Sequence, residues 1–196
     1  MPDFLTKPTL TQEPVTLRPF RAADIPRMLA ILALPQVNLY TGALTKTPGA
    51  NDRFPADQQE TAKIINWYQT RNQQPDRLDL AIAVSGQLFG EVVLNEYDAE
   101  HNTCNLRVLI ADDATERGIG TSALTLMAAH AFNYLHLAAL TLDVFDFNPR
   151  AQHVYRKVGF RQTGAIENDL MLDGQPHTTF TMCLTAKSFA KKGTQS

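Results

Sequence analysis

Apolar and polar side chains change rhythm repeatedly along this chain, and each change of rhythm predicts an element. Residues 15–20 (VTLRPF) alternate as a half-buried strand does. Asp24 then suits a helix N-cap with Pro26 in the first turn, and Ile25, Met28, Leu29 and Leu32 share one helical face that Pro35 ends. Residues 36–55 hold Gly42, Pro48, Gly49 and Asn51 and follow no period, which predicts a loop, with a short helix of unplaced position as the alternative for part of it. A loop of that length in a compact domain usually carries function. Residues 56–71 return to the helical period, with Ile64, Ile65, Trp67 and Tyr68 turned inward.

The middle of the chain reads as strands. LDLAIAV (78–84) and LFGEVVLNEY (88–97) are β-rich and joined by Ser-Gly-Gln, predicting a hairpin, and TCNLRVLIA (103–111) adds a third strand. Residues 118–135 are apolar nearly all round, as in a helix buried on most sides. LTLDVF (140–145) is a short strand. Residues 148–160 (NPRAQHVYRKVGF) spell a helix with both ends written in: Asn148 as N-cap, Pro149 at N1, and Ala151, Tyr155 and Val158 on the apolar stripe. Gly159 and Phe160 then serve as the C-terminal cap and its hydrophobic contact. Two last strands, 161–172 and 177–184, meet at the turn Asp173–Gly174.

The order β-α-α-β-β-β-α-β-α-β-β puts a right-handed strand–helix–strand crossover, and so a parallel pair, between antiparallel hairpins. The expected class is α/β (α+β): a mixed, mostly antiparallel sheet of about seven strands with helices on both faces. One domain over residues 14–186, between polar tails at 1–13 and 187–196, accounts for the chain of 196 residues.

Composition narrows the function. A net charge of -2 without a basic run removes the usual footprint of nucleic-acid binding. Two cysteines, Cys104 and Cys183, are too few for a disulfide framework and fit a reducing compartment. No run nears the roughly 18 apolar residues of a membrane span, and the first residues have no secretory h-region. These features make the cytoplasm the expected location, without membrane partners. His101 and Cys104 lack the second pair a metal site needs, so no metal is expected. His130 reads as a core histidine, His153 and His177 carry no pattern, and no serine-hydrolase elbow is present.

Residues 114–124 (ATERGIGTSAL) join a strand to the buried helix. Gly118 and Gly120 let backbone approach a ligand closely, the free amides of the first helical turn favour an anion, and Arg117 adds a charge. Together they form a candidate phosphate site. Gly118-Ile-Gly120-Thr-Ser-Ala123 also fits a dinucleotide fingerprint, with Asp143 near the ribose-ligand spacing. Against a Rossmann half, seven residues separate the strand from the first glycine, and the chain closes on an antiparallel pair.

Gly118-Ile119-Gly120 opening a helix, followed by Asn148-x-x-Ala151-x-x-x-Tyr155-x-Lys157-x-Gly159-Phe160, resembles the two core motifs of the GCN5-related N-acetyltransferases (GNAT). TLRPF, GEVVLNEYDAE and the closing LDG hairpin resemble in particular the branch of ribosomal-protein alanine N-acetyltransferases, and the likeness runs from about residue 15 to 184. It implies a central parallel pair that splays apart and takes acetyl-CoA as co-substrate. The pantetheine arm would bond to backbone at Leu109, Ile110 and Ala111, and the pyrophosphate would sit on Arg117, Gly118, Ile119, Gly120 and Thr121. Asn148 would lie near the pantetheine arm and Tyr155 near the thioester sulfur. Thr115 and Glu116 depart from the family, which usually has Gln or Arg followed by Gly there.

Acetyl transfer by direct attack needs a neutral amine, a stabilised oxyanion and a proton for the departing thiolate. The resemblance makes Tyr155 the acid. The base is open among Asp143, where the alanine N-acetyltransferases carry Glu, Glu91, which stands on an otherwise apolar strand, and Glu96; a water relay is a further alternative. The acceptor is a primary amine, on a protein N-terminus or a small molecule, and a homodimer is an expectation at the level of the family. The other readings are a non-catalytic acyl-CoA-binding module and a Rossmann-type dinucleotide-binding protein.

Overall fold

The two faces of the central sheet are built from different residues, and strand alternation decides which face each residue joins. In a computed structural model, which describes residues 2–49, 52, 54, 57–111 and 118–193, the elements run β1 (Leu10–Gln12), β2 (Val15–Arg18), α1 (Ile25–Leu32), α2 (Pro35–Tyr40), α3 (Gln58–Thr70), β3 (Leu78–Val84), β4 (Gln87–Asp98) and β5 (Thr103–Ile110). They continue with α4 (Ile119–Asn133), β6 (Ala139–Phe145), α5 (Pro149–Val158), β7 (Arg161–Leu172), β8 (Gln175–Thr185) and α6 (Ala186–Gly193). The strands make one sheet in the order β1-β2-β3-β4-β5-β6-β8-β7. β5 and β6 are parallel and every other neighbouring pair is antiparallel. The expected mixed sheet with its central parallel pair is therefore what the chain forms.

On one face, Leu80 and Ile82, Val92 and Leu94, Cys104 and Leu106, and Leu140, Leu142 and Val144 pack against Ala123, Leu124, Met127 and Ala131 of α4. Residues one step along each strand point the other way. Ala81, Leu88 and Ala111 meet Phe20, Ile25, Met28, Ile31, Val37 and Tyr68 from α1 to α3 and the chain before them. This second face is polar at its centre: by alternation Asp79, Glu91, Asn95, Asn105, Arg107, Thr141 and Asp143 all belong to it. The first face carries the larger apolar core, and the second combines a smaller apolar cluster with a polar band.

Four expectations change. Residues 1–13 were expected as a polar tail, yet β1 pairs with β2, Phe4 is buried against Tyr97, and Lys7 Nζ donates to the carbonyls of Gln74 (2.9 Å) and Arg77 (2.6 Å). A single buried ring and one lysine hold this segment, too little to set a period. The sheet thus has eight strands among the described residues rather than seven. Pro35 begins α2 instead of only ending α1, since proline's fixed φ and missing N–H suit the first turn. At the C-terminus, residues expected as a tail form α6, whose Phe189 packs on Phe132 (ring centres 5.4 Å apart).

Gly90 is required by close approach. A Cβ there would stand 1.9 Å from the carbonyl oxygen of Leu109 on β5, at an irregularity in the β3–β4 register. Gly90→Ala is expected to cost about 2 kcal/mol or more and to lower the Tm by roughly 4–8 °C in thermal melting. Gly164→Ala is the control: its Cβ would meet Thr181 at an ordinary 3.7 Å and should leave the Tm undiminished.

Candidate active site

Thr103–Ala139, Cys104–Leu140 and Asn105–Thr141 are the register pairs that join β5 to β6, and past them the two strands part. β5 runs on to Ile110 held by β4, and β6 runs on to Phe145 held by β8, so each keeps a partner on its outer side only. The gap opens a cleft of about 1020 Å³ lined by Asn105 to Ile110, Asp143 to Phe145, Asn148, Ala151, Val154 and Tyr155. Backbone N–H and C=O groups that face this gap have no ladder partner, and polar backbone away from water needs one. An extended chain of alternating amides, added as a further strand, would supply it.

The helix α5 forms one wall, and its sequence signals hold. The Asn148 side chain accepts from Ala151 N at 3.1 Å, Pro149 sits in the first turn, and the amides of Gly159 and Phe160 both donate to the Tyr155 carbonyl at 3.0 Å. Buried Gln152 ties the helix to the strand before it, donating from Nε2 to the carbonyls of Phe145 (3.0 Å) and Asp146 (3.3 Å). Tyr155 is thereby fixed in place. It is buried, packs edge-on against Phe160, and its hydroxyl has no hydrogen-bond partner among the described residues. Burial alone pushes its pKa up to about 12.

The start of α4 lies at the far end of the cleft. Gly118 caps it with φ of +75°, and Ile119, Gly120 and Thr121 line the opening with first-turn amides that have no acceptor within the helix. Gly120 permits this packing, because a Cβ there would lie 3.0 Å from Ile110 Cδ1 and 4.0 Å from Val154 Cγ1. Leu109 and Ile110 line the cleft from β5. Ala111 is buried behind them, its amide already donating to the Phe89 carbonyl at 2.8 Å. Arg117, with Thr115 and Glu116, lies outside the described residues.

The candidate carboxylates stand on the polar second face in three different settings. Asp143 is exposed in the cleft with no partner among the described residues. Glu96 is exposed at the β4 bulge, with φ of +53°, and accepts from Asn95 Nδ2 at 3.2 Å. Glu91 is half-buried, and its Oε2 accepts from Arg71 Nη1 (2.5 Å) and the Tyr68 hydroxyl (2.8 Å). Arg71, which lines the cleft, and Tyr68 and Asp79 behind it make a cluster around Glu91 that the sequence does not single out. The available signal was Asp79, a fully buried carboxylate in the apolar run LDLAIAV, which demands a buried cation.

Of the histidines, His153 lines the cleft and His130 and His177 do not. His130 is half-buried, stacks on Tyr134, and has its pKa lowered by burial. His177 Nδ1 pairs with Asp146 at 2.8 Å, and His153 is exposed at the cleft's mouth. Cys104 is buried with its thiol pushed up to about 12. No metal-binding group of histidines, cysteines and carboxylates occurs among the described residues, and no described helix is long and apolar enough to cross a membrane.

Comparison with known proteins adds the following. The profile of the Acetyltransferase (GNAT) domain matches residues 15–161. Spermidine N(1)-acetyltransferase of Escherichia coli (strain K12) is 29% identical over 103 residues, 53% of this chain and 55% of that protein. The chain thus spans about half the length of that relative. The ribosomal N-acetyltransferase-like protein YdaF of Bacillus subtilis (strain 168) is 23% identical over 168 residues, 84% of this chain and 87% of its own length. Among solved structures, spermidine N-acetyltransferase from Vibrio cholerae in complex with CoA and spermine superposes with a TM-score of 0.75 at 17% identity, over 91% of this chain and 99% of that one.

The Asn148 cap gives the site a stability test. Asn148→Ala should cost about 1 kcal/mol and lower the Tm by roughly 2–4 °C in calorimetry. Asn148→Ser keeps an acceptor oxygen and should lose less than half of that.

Proposed function

Because the chain belongs to the GNAT acetyltransferase family, we propose that it transfers an acetyl group from acetyl-CoA to the primary amine of a small cationic molecule, by direct attack on the thioester. The observation that carries this reading is Tyr155: a buried phenol with no hydrogen-bond partner among the described residues, held by a capped helix at the gap between two parted parallel strands. Such a hydroxyl has a proton and no acceptor for it among the described residues.

Acetyl-CoA supplies an activated acyl carbon and a thiolate leaving group. The β5 backbone that faces the gap, at Val108 and Ile110 between residues turned to β4, would hold its amide arm, Asn148 would lie beside it, and the α4 amides at Ile119 to Thr121 would take its phosphates. Backbone N–H at the gap meets the negative charge that develops on the thioester oxygen. As the N–C bond forms and the C–S bond breaks, Tyr155 gives its proton to the sulfur. Burial makes the phenol a weaker acid, and the same dry surroundings make a thiolate a stronger base, so the two stay matched.

The amine arrives from the opposite side. Tyr155 belongs to the α4–α5 face of the sheet, whereas Glu91 and Asp143 belong to the polar face, so acid and acceptor flank the gap. Free oxygens of Glu91 and Asp143 attract a protonated amine and take up its proton, directly or through water. The small-amine reading is supported by these carboxylates and by the 29% identity to a spermidine acetyltransferase.

A panel of a polyamine, a simple alkylamine and an amino-terminal peptide, scored by free-thiol release from acetyl-CoA, tests the proposal. The polyamine should turn over fastest, and thiol release with none of the three would mean a binding module without turnover. Tyr155→Phe keeps the ring and should lower kcat about ten- to a thousandfold with acetyl-CoA affinity little changed. Since the Tyr155 pKa is about 12, the phenol stays protonated below pH 10. The rate should therefore rise with pH as the amine loses its proton, with no alkaline fall in that range.

A further inference from the structure

Arg71, in the turn that follows α3, is 1% exposed and sits beneath the acceptor side of the cleft. Its Nη2 meets Asp79 Oδ1 at 2.9 Å and its Nη1 meets Glu91 Oε2 at 2.5 Å. Arg77 closes Asp79 from the other side, Nε to Oδ2 at 2.8 Å and Nη2 to Oδ1 at 2.9 Å. Two cations and two carboxylates cancel, which is the condition for burying charge at tolerable cost. The guanidinium is also caged by rings, with Cζ 4.4 Å from the centre of Phe20 and 4.5 Å from that of Tyr68. A lysine could not replace it, because one ammonium cannot bridge two carboxylates in a plane while stacking on aromatic faces.

Glu91 is where this cluster meets the cleft. Its Oε2 is claimed twice, by Arg71 and by the Tyr68 hydroxyl. Its Oε1 has no partner among the described residues, and the side chain is 16% exposed and lines the cleft. Two charge-assisted or hydroxyl donors on one oxygen stop the carboxylate from turning, so the free oxygen keeps a fixed heading.

We propose that Arg71 and Tyr68 are positioning residues that pin Glu91 by Oε2 and so aim Oε1 at the acceptor amine. This rests on the acetyltransferase reading above and adds what orients its acceptor. Packing alone does not require the arrangement: Tyr68 already fills its place with a ring against Phe20, 5.2 Å between centres, and its hydroxyl is surplus to that contact.

A double-mutant cycle on Tyr68→Phe and Glu91→Gln, with kcat/KM for the best amine of the panel as readout, tests the inference. Tyr68→Phe should lower kcat/KM about tenfold through the amine's KM, leaving the KM for acetyl-CoA and the Tm essentially unchanged. In the Glu91→Gln background the same change should cost less than about twofold, because two residues that act through one group are not additive. Arg71→Lys should lower kcat/KM further than Tyr68→Phe; should it fail to fold, the Tyr68–Glu91 cycle still decides. An equal cost of Tyr68→Phe in both backgrounds, or no cost in the first, would overturn the inference while leaving the acetyltransferase reading intact. A wild-type protein that releases no thiol with any amine would remove both.

Discussion

The parting of β5 and β6 is the constraint on which the rest of this structure depends. Two parallel strands in one sheet would normally pair along their whole length, since every unpaired amide in a buried place costs free energy. Here pairing stops after Asn105 and Thr141, and each strand keeps its antiparallel neighbour, β4 on one side and β8 on the other. The hairpins flanking the parallel pair are therefore what allow the gap. Gly90 contributes by letting β4 press against the Leu109 carbonyl, and Gly120 by letting α4 close down on Ile110 and Val154. A cleft made this way has backbone for walls, and backbone recognises a chain of amides regardless of sequence.

The gap also joins the two faces of the sheet, and the faces differ in character. The α4–α5 side is apolar and dry, which holds Tyr155 protonated. The other side carries Asp79, Glu91, Asn95, Asn105, Arg107, Thr141 and Asp143, a band of polar residues across β3 to β6. A buried phenol and a carboxylate-bearing surface thus lie on opposite sides of the same opening. The buried part of the band is balanced internally by Arg71 and Arg77 against Asp79 and Glu91.

One end of the cleft is bordered by segments distant in sequence. Tyr40 at the end of α2 stacks on Phe147, which stacks in turn on Phe145, and Gly42 lies so close to the Phe145 ring that a Cβ would reach it at 2.7 Å. Beyond it, Asp173 in the β7–β8 turn accepts from Thr47 N (2.9 Å) and Thr47 Oγ1 (2.6 Å), and its own amide donates to the Thr45 carbonyl. Residues 40–47 of the stretch that carried no period are held by these contacts, which follow no repeat and leave no pattern to read.

What the sequence determined is whatever depends on neighbours along the chain. Asn148, Pro149 and Gly159 cap α5 through contacts within four residues, and the all-round apolar run of α4 and the alternation in β3 to β5 follow from burial of each element's own faces. The glycine loop, the capped helix and the order of elements sufficed to suggest the family, and with it Tyr155. Tertiary structure alone decided which carboxylate is paired. Glu91, Glu96 and Asp143 read alike as single acids on strands, but only assembly brings Arg71 and Tyr68 from the end of α3 onto Glu91 and leaves Asp143 without a partner among the described residues. The reason is physical: caps and periodicity are short-range, whereas the state of a charge is set by whatever the fold places within a few ångströms of it, however far away in sequence.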